Sequence, residues 1–337
     1  MFDKLDKISI VWMRVGEDVN MKIGVVGAGA MGSLFGGHLV EAGEDVIFID
    51  VADKLIEQLN KDGLRINSGG RDRILSVNAG RAESFNHTQD LLIIFTKGFQ
   101  TEAALRSVVH LIGPETWILV LQNGLGHASR IEPFITREHI IIGMTNFPVD
   151  LESLGYVVSR GEGHSVIWHL LGRDDPKVTQ VAALLNHAGL SCVASPDAIK
   201  AIWRKVAFNA SMNMLTALTR CTVGELGDQP AGRQLAYDAA AEVVAVACAV
   251  GVRIEVADVR ETIDDAFSFH RDHRSSMLQD IRAGRRTEND TIGGAVVAIA
   301  KDHGVPTPLI SVFSNLMSLL EQSAEVRQAA SPGGRSD

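Results

Sequence analysis

The β-branched run Lys22-Ile23-Gly24-Val25-Val26 leads directly into Gly27-Ala28-Gly29-Ala30-Met31-Gly32, and then into a helical pattern that continues to Glu41. A strand, a glycine-rich turn and a helix in that order constrain the fold more than any other feature of this chain. Gly27 allows the tight turn, Gly29 leaves room for backbone to approach a pyrophosphate, and Gly32 lets the helix pack closely on the sheet. The free N–H groups at the start of that helix, in the stretch Ala28 to Met31, then face an anion. The next strand, Asp45 to Ile49, ends at Asp50, whose carboxylate can accept hydrogen bonds from an adenosine ribose and would repel a 2′-phosphate. No arginine follows in Val51-Ala52-Asp53-Lys54, so NAD is expected over NADP, with Lys54 the one charge there that could screen a phosphate. Asp50 also suits the N-terminus of the next helix.

Short apolar runs alternate with helical stretches up to about Ser191, the pattern of a parallel sheet covered by helices. Further strands are expected at Leu91 to Phe95, Trp117 to Leu121 and His139 to Gly143, and further helices at Val51 to Lys61 and Thr101 to Leu111. Tyr156 to Ser159 and Val166 to Leu171 look like a hairpin at the sheet edge. A helix should run from Pro176 to His187 and stop at Gly189. After Pro196 the segments 197–221, 230–250, 290–303 and 308–323 carry Ala, Leu, Val and Met at helical spacing. The expected architecture is therefore α/β: a Rossmann-type doubly wound parallel sheet over 21–194, followed by an all-α domain over 195–325. Residues 1–20 would be an extension and 326–337 a flexible tail.

Composition narrows the function classes. The 337 residues carry a formal charge of −9 and no basic run, which disfavours a phosphate-backbone binder of nucleic acid. The three cysteines, Cys192, Cys221 and Cys248, lack CxxC spacing and read as small buried side chains in a reducing, cytoplasmic compartment. No apolar run approaches the roughly 20 residues of a membrane span, and the first residues do not resemble a secretory signal. Histidines 127, 164, 169, 187, 270, 273 and 303 are scattered without metal-binding spacing, so no metal is expected.

If the cofactor carries the hydride, the protein must orient a carbonyl and move a proton. Lys205, Asn209 and Asn213 fall at i, i+4 and i+8 on one side of a helix, between Val206, Ala207, Phe208 and Met212. A lysine in that setting loses basicity by desolvation and can protonate a forming alkoxide; the same spacing also fits a surface lysine with ordinary helix-face amides. A second polar cluster runs from Ser275-Ser276 through Asp280 to Arg285-Arg286-Thr287-Glu288. Ser276 could bind a carboxylate, and Glu288 a ribose hydroxyl or the lysine; a solvated helix and turn fits equally. Lys97 and Asn123 follow strands, where open α/β sheets bind ligands.

The blocks MKIGVVGAGAMG, FTKGFQT, LQNGLG, WRKVAFNASMNMLTAL, SSMLQDIRAGRRTEND and GVPTP, in this order, resemble the ketopantoate reductase (2-dehydropantoate 2-reductase) family over about residues 21 to 322. The resemblance implies reduction of ketopantoate to D-pantoate on the way to pantothenate and coenzyme A. It makes Lys205 the proton donor, gives substrate to Asn209, Asn213 and Ser276, places Asn123 beside nicotinamide and substrate, and puts Lys97 and Glu288 on cofactor. Three positions depart from the family pattern. Asp50-Val51 stands where members that use NADPH carry a basic residue, Val223 replaces a polar residue before Gly224-Glu225-Leu226, and Gly293 replaces an asparagine. The rival reading is an NAD-dependent D-2-hydroxyacid dehydrogenase for another branched or aromatic 2-keto acid; a non-catalytic NAD sensor is a third. The Ala/Val-rich segment 239–250 would suit the two-fold contact of a homodimer or the core.

Overall fold

The computed structural model describes residues 21–330, with side chains through residue 323. The expected extension 1–20, and the part of the expected tail beyond Ala330, lie outside the described residues. In chain order the sheet-bearing half comprises β1 (Lys22–Val26), α1 (Ala30–Glu41), β2 (Asp45–Ile49), α2 (Asp53–Asp62), β3 (Leu64–Ser68), β4 (Arg71–Leu75) and β5 (Asn78–Gly80). It continues with β6 (Gln89–Ile94), α3 (Thr101–Val108), β7 (Ile112–Val120), α4 (His127–Ile131), β8 (Ile140–Thr145), β9 (Val149–Ser153), β10 (Tyr156–Ser159), β11 (Ser165–His169), α5 (Pro176–His187) and β12 (Cys192–Ala194).

Eight strands form the main sheet in the order β12-β11-β8-β7-β6-β1-β2-β5. Every neighbouring pair is parallel except β11 with β8. Both faces are covered, so the central strands alternate between two cores. Ile23, Val25, Leu91, Ile93 and Leu119 meet Leu34, Phe35 and Leu39 of α1 and Val178, Val181 and Leu185 of α5. Val26, Leu92, Ile94, Ile118 and Val120 meet Leu105 and Val108 of α3 and Ile131 of α4. Burial on both faces is why these strands read as continuous apolar runs. The winding direction reverses between β1 and β6, and the crevice above their carboxyl ends is where such sheets bind ligands.

The expected edge hairpin is not formed. Tyr156–Ser159 and Ser165–His169 belong to different sheets: β10 sits in a second, four-stranded sheet ordered β4-β3-β10-β9, whereas β11 pairs with β8 and β12 in the main one. The small sheet packs on α1, where Gly37 carries no Cβ and so leaves space for the Ile66 side chain. Fully buried Leu64, Ile66 and Val157 draw β3 and β10 together there.

The helical half contains α6 (Ala198–Phe208), a π-helical turn at Asn209–Asn213, α7 (Met214–Thr219), α8 (Val223–Gly227), α9 (Pro230–Ala249), α10 (Val256–Phe269), α11 (Ser276–Arg282), α12 (Gly293–Asp302) and α13 (Pro308–Ala330). The last helix continues past residue 325, into the expected tail. Ala239, Ala240, Val243, Val244, Val246 and Ala247 of α9 are buried within this chain's own core, so burial accounts for the Ala/Val-rich segment. Only Cys192 is a buried cysteine; Cys221 is partly exposed and Cys248 exposed, contrary to expectation. Among the described residues no helix is long and apolar enough to cross a membrane.

Candidate active site

The glycine turn has the expected form. Gly27 adopts φ +97°, and a Cβ there would press on the Phe95 and Thr96 backbone. A Cβ on Gly32 would overlap the Gly27 carbonyl, whereas one on Gly29 would meet nothing within 4 Å. That open space lies at the N-cap of α1, which has no side-chain cap and no acidic residue in its first turn. Its unsatisfied amides therefore fit a pyrophosphate. Asp50 is bound more tightly than expected: Oδ2 accepts from the Ala28 amide at 2.8 Å, and Oδ1 accepts from Val51 and Ala52 at 2.8 and 3.0 Å. The carboxylate fastens the glycine loop to the end of β2 and orders the turn that leads into α2. With about four acceptor sites in all, it keeps capacity for a ribose hydroxyl.

In the helical half, Lys205 lies in the last turn of α6, and its ammonium donates to the Thr145 carbonyl at the end of β8. The side chain is half-buried against the end of β8. This burial lowers its pKa to about 8, while Glu288 acts to raise it. The expected single helix is interrupted here, because Asn209 to Asn213 form a π turn. Such turns occur frequently at functional sites. Ser211 Oγ donates to the carbonyls of Ala207 and Phe208, and Thr216 Oγ1 donates to those of Met212 and Asn213. Asn209 is buried and Asn213 partly exposed, and among the described residues neither side-chain amide has a partner.

Lys97 lies beyond the carboxyl end of β6. Its ammonium donates to Asp280 Oδ2 at 2.8 Å, and Glu288 Oε2 lies 3.8 Å away. Burial alone would lower the Lys97 pKa, but Glu288 and Asp280 hold it above its ordinary value. Asn123, following β7, donates to Glu288 Oε2 at 3.2 Å. Lys97, Asn123, Asp280 and Glu288 thus join the two halves of the molecule, and Arg285 adds a second cation on Asp280 at 3.0 Å. Around them, Arg130 pairs with Asp290 at 3.1 Å and Leu125 N donates to Thr291 O at 2.7 Å.

The two serines of the second cluster differ. Ser275 is buried and structural: its hydroxyl lies 2.8 Å from Thr216 Oγ1 and accepts from Leu278 N as the N-cap of α11. Ser276 is exposed, and among the described residues its hydroxyl has no partner. Ser275 Oγ also lies 3.4 Å from the Asn213 carbonyl, which places Ser276 next to the π turn. Val223, 3% exposed, follows the N-cap of a Thr222–Glu225 capping box, and its N–H donates to the His273 carbonyl. At Gly293, Met214 fills the space a side chain would need.

Lys97, Asn123 and Glu288 therefore meet, with Glu288 also acting on the Lys205 ammonium, while the side chains of Asn209, Asn213 and Ser276 keep unused hydrogen-bonding capacity among the described residues. Such a set can hold an anionic keto acid and pass a proton to its oxygen. Sequence reasoning missed Thr145, for which the chain offers no signal. It also missed Asp280 as the Lys97 partner, although the SSMLQD block pointed to that helix.

The family pattern Ketopantoate reductase PanE/ApbA matches residues 23–171, and Ketopantoate reductase PanE/ApbA C terminal matches residues 197–321. The chain is similar to the 2-dehydropantoate 2-reductase of Lactococcus lactis subsp. lactis, 32% identical over 307 residues that cover 90% of this chain and 98% of the relative. Among solved structures it is similar to D-mandelate dehydrogenase in complex with NADH and anilino(oxo)acetate, with TM-score 0.86, 32% identity and coverage of 90% of this chain and 100% of that one. It is also similar to 2-dehydropantoate 2-reductase from Geobacter metallireducens GS-15, with TM-score 0.84, 28% identity and coverage of 89% and 99%.

Proposed function

The chain belongs to the ketopantoate reductase family, and from that premise we propose that it is a nicotinamide-dependent oxidoreductase reducing a 2-keto acid at C2, with Lys205 as proton donor and ketopantoate as the first substrate to test. Residues 21–194 act as the cofactor domain and 195–325 as the substrate domain. The observation that carries this reading is Lys205, half-buried with its pKa lowered to about 8, in the segment of α6 and π turn that also carries Asn209 and Asn213, whose side-chain amides, like the Ser276 hydroxyl, have no partner among the described residues.

When bound, the dinucleotide supplies the hydride. The amides of the Gly27–Gly32 turn hold its pyrophosphate, and Asp50 accepts from the adenosine ribose, which favours NAD; D-mandelate dehydrogenase, a structural relative, was solved with NADH. Lys97 and Glu288 would contact the cofactor, and Asn123, which donates to Glu288, would contact both cofactor and substrate. Ser276 binds the substrate carboxylate, Asn209 and Asn213 fix the oxygen on C2, and Lys205 gives that oxygen a proton as charge develops. Glu288 keeps the ammonium charged near neutral pH, and the Thr145 carbonyl aims it.

The pH dependence follows directly. Lys205 is the acid only while protonated, so reduction should fall as pH rises through about 8. Oxidation of the hydroxy acid needs the neutral amine, so it should rise through the same value. Initial rates in both directions at saturating cofactor check this; reduction independent of pH across that range would remove Lys205 as the donor.

Two observations favour a second reading, an NAD-dependent D-2-hydroxyacid dehydrogenase for branched or aromatic substrates. Val223 and Gly293 supply no polar group, and Met214 fills the space at Gly293. A ketopantoate hydroxyl left without a partner would cost about 1–3 kcal/mol, whereas an apolar side chain gains about 25 cal/mol per Å² buried. A panel of 2-keto acids run with NADH and NADPH decides between the readings. A higher kcat/KM for ketopantoate than for branched and aromatic acids supports the first, and the reverse order supports the second.

A further inference from the structure

We propose that Asp53 sets the cofactor preference by holding Arg81 away from the ribose 2′ position. The inference rests on the reading that Asp50 receives the adenosine ribose. Strand β5 runs parallel to β2 with Ile49 opposite Gly80, and the Asp50 amide donates to the Gly80 carbonyl at 3.1 Å. Arg81 therefore leaves the sheet immediately beside Asp50. Its guanidinium does not turn toward that carboxylate but grips Asp53, the first residue of α2, through Nε to Oδ1 at 2.7 Å and Nη2 to Oδ2 at 2.9 Å.

The pair lies at the solvent front, with the Arg81 side chain 43% and the Asp53 side chain 76% exposed. An ion pair that open contributes only modestly to stability, so it can be removed without unfolding the domain. A planar guanidinium is also the group that matches phosphate oxygens two at a time. Within residues 50–54 and 78–84 the cations are Lys54 and Arg81. Asp53 occupies the stronger phosphate ligand of the two. That acts against a 2′-phosphate and leaves a plain ribose untouched. Asp53 is thus a positioning residue that works through Arg81.

The test is binding of NADH and NADPH, read by quenching of protein fluorescence and accompanied by melting curves. The proteins are wild type, Asp53→Asn, Asp53→Glu and Asp53→Asn combined with Arg81→Ala. Asp53→Asn should tighten NADPH by about tenfold with NADH nearly unchanged. The gain should shrink in high salt, as an exposed charge contact does, and should vanish when Arg81 is also removed. Asp53→Glu, which preserves the grip, should keep the wild-type ratio. An unchanged NADPH-to-NADH ratio in Asp53→Asn, or a gain that survives Arg81→Ala, overturns the proposal. The wild-type ratio tests the NAD reading separately: tighter NADPH binding there sinks that reading, while Asp53 is still judged by the shift from the wild-type value.

Discussion

Replacing Lys205 with alanine is expected to lower turnover in ketone reduction by about 10² to 10⁴-fold, the usual contribution of a positioned general acid. NADH binding should stay near wild type, because Lys205 lies on α6, whereas the proposed dinucleotide cradle is the glycine turn between β1 and α1. The substitution should also be tolerated by the fold. Alanine is the best helix former, and Glu288 keeps Asn123 at 3.2 Å and Lys97 at 3.8 Å as partners. Lys205→Arg separates charge from proton donation: a guanidinium retains the positive charge but does not release its proton in this pH range. It should therefore lose nearly as much turnover as alanine while preserving more of the substrate affinity. Single-turnover hydride transfer, followed at the nicotinamide absorbance, measures both variants. A Lys205→Ala protein that turned over at the wild-type rate with both substrates saturating would end the assignment.

The parts of this molecule legible in the sequence are those where local pattern and tertiary role coincide. Strand β1 is apolar because both its faces are covered, and Gly27 and Gly32 are glycines because backbone stands where a side chain would be. Strands β3 and β4 escaped because Leu64–Ser68 and Arg71–Leu75 mix apolar and charged residues on a sheet that buries one face against α1. A signal was present: Gly69 and Gly70 both take positive φ, as a two-residue hairpin turn requires. The pairing of β10 with β3 was not recoverable, since it joins segments far apart in the chain. The spacing of Lys205, Asn209 and Asn213 was visible, but the π turn that carries both asparagines was not, because nothing in Asn209-Ala210-Ser211-Met212-Asn213 distinguishes a π turn from an α turn. Adjacent Ser275 and Ser276 look interchangeable in sequence, and only packing against Thr216 makes one of them a cap.

Gly29 and Gly32 should give opposite results, because only one of them is required by the fold. Gly29 has φ −69° and ψ −163°, an extended conformation open to any residue, and a Cβ there meets nothing within 4 Å. It also occupies the N-cap of α1, where aspartate is among the preferred residues and stabilises a helix by about 0.5–2 kcal/mol relative to alanine. Gly29→Asp should therefore melt no lower than wild type. The same carboxylate would stand where the pyrophosphate approaches, adding like charge and taking the amides that bind it, so NADH affinity should drop by about 100-fold or more, equivalent to about 2.7 kcal/mol. Gly32→Ala places its methyl group against the Gly27 carbonyl, a backbone atom that no rotamer change can move. Relief requires α1 to shift off the sheet, at a cost of about 1–3 kcal/mol, so this variant should lose melting temperature and NADH binding together. Calorimetric melting and NADH titration on the two proteins check the contrast. Tight NADH binding by a well-folded Gly29→Asp protein would mean that the dinucleotide does not cross the N-terminus of α1.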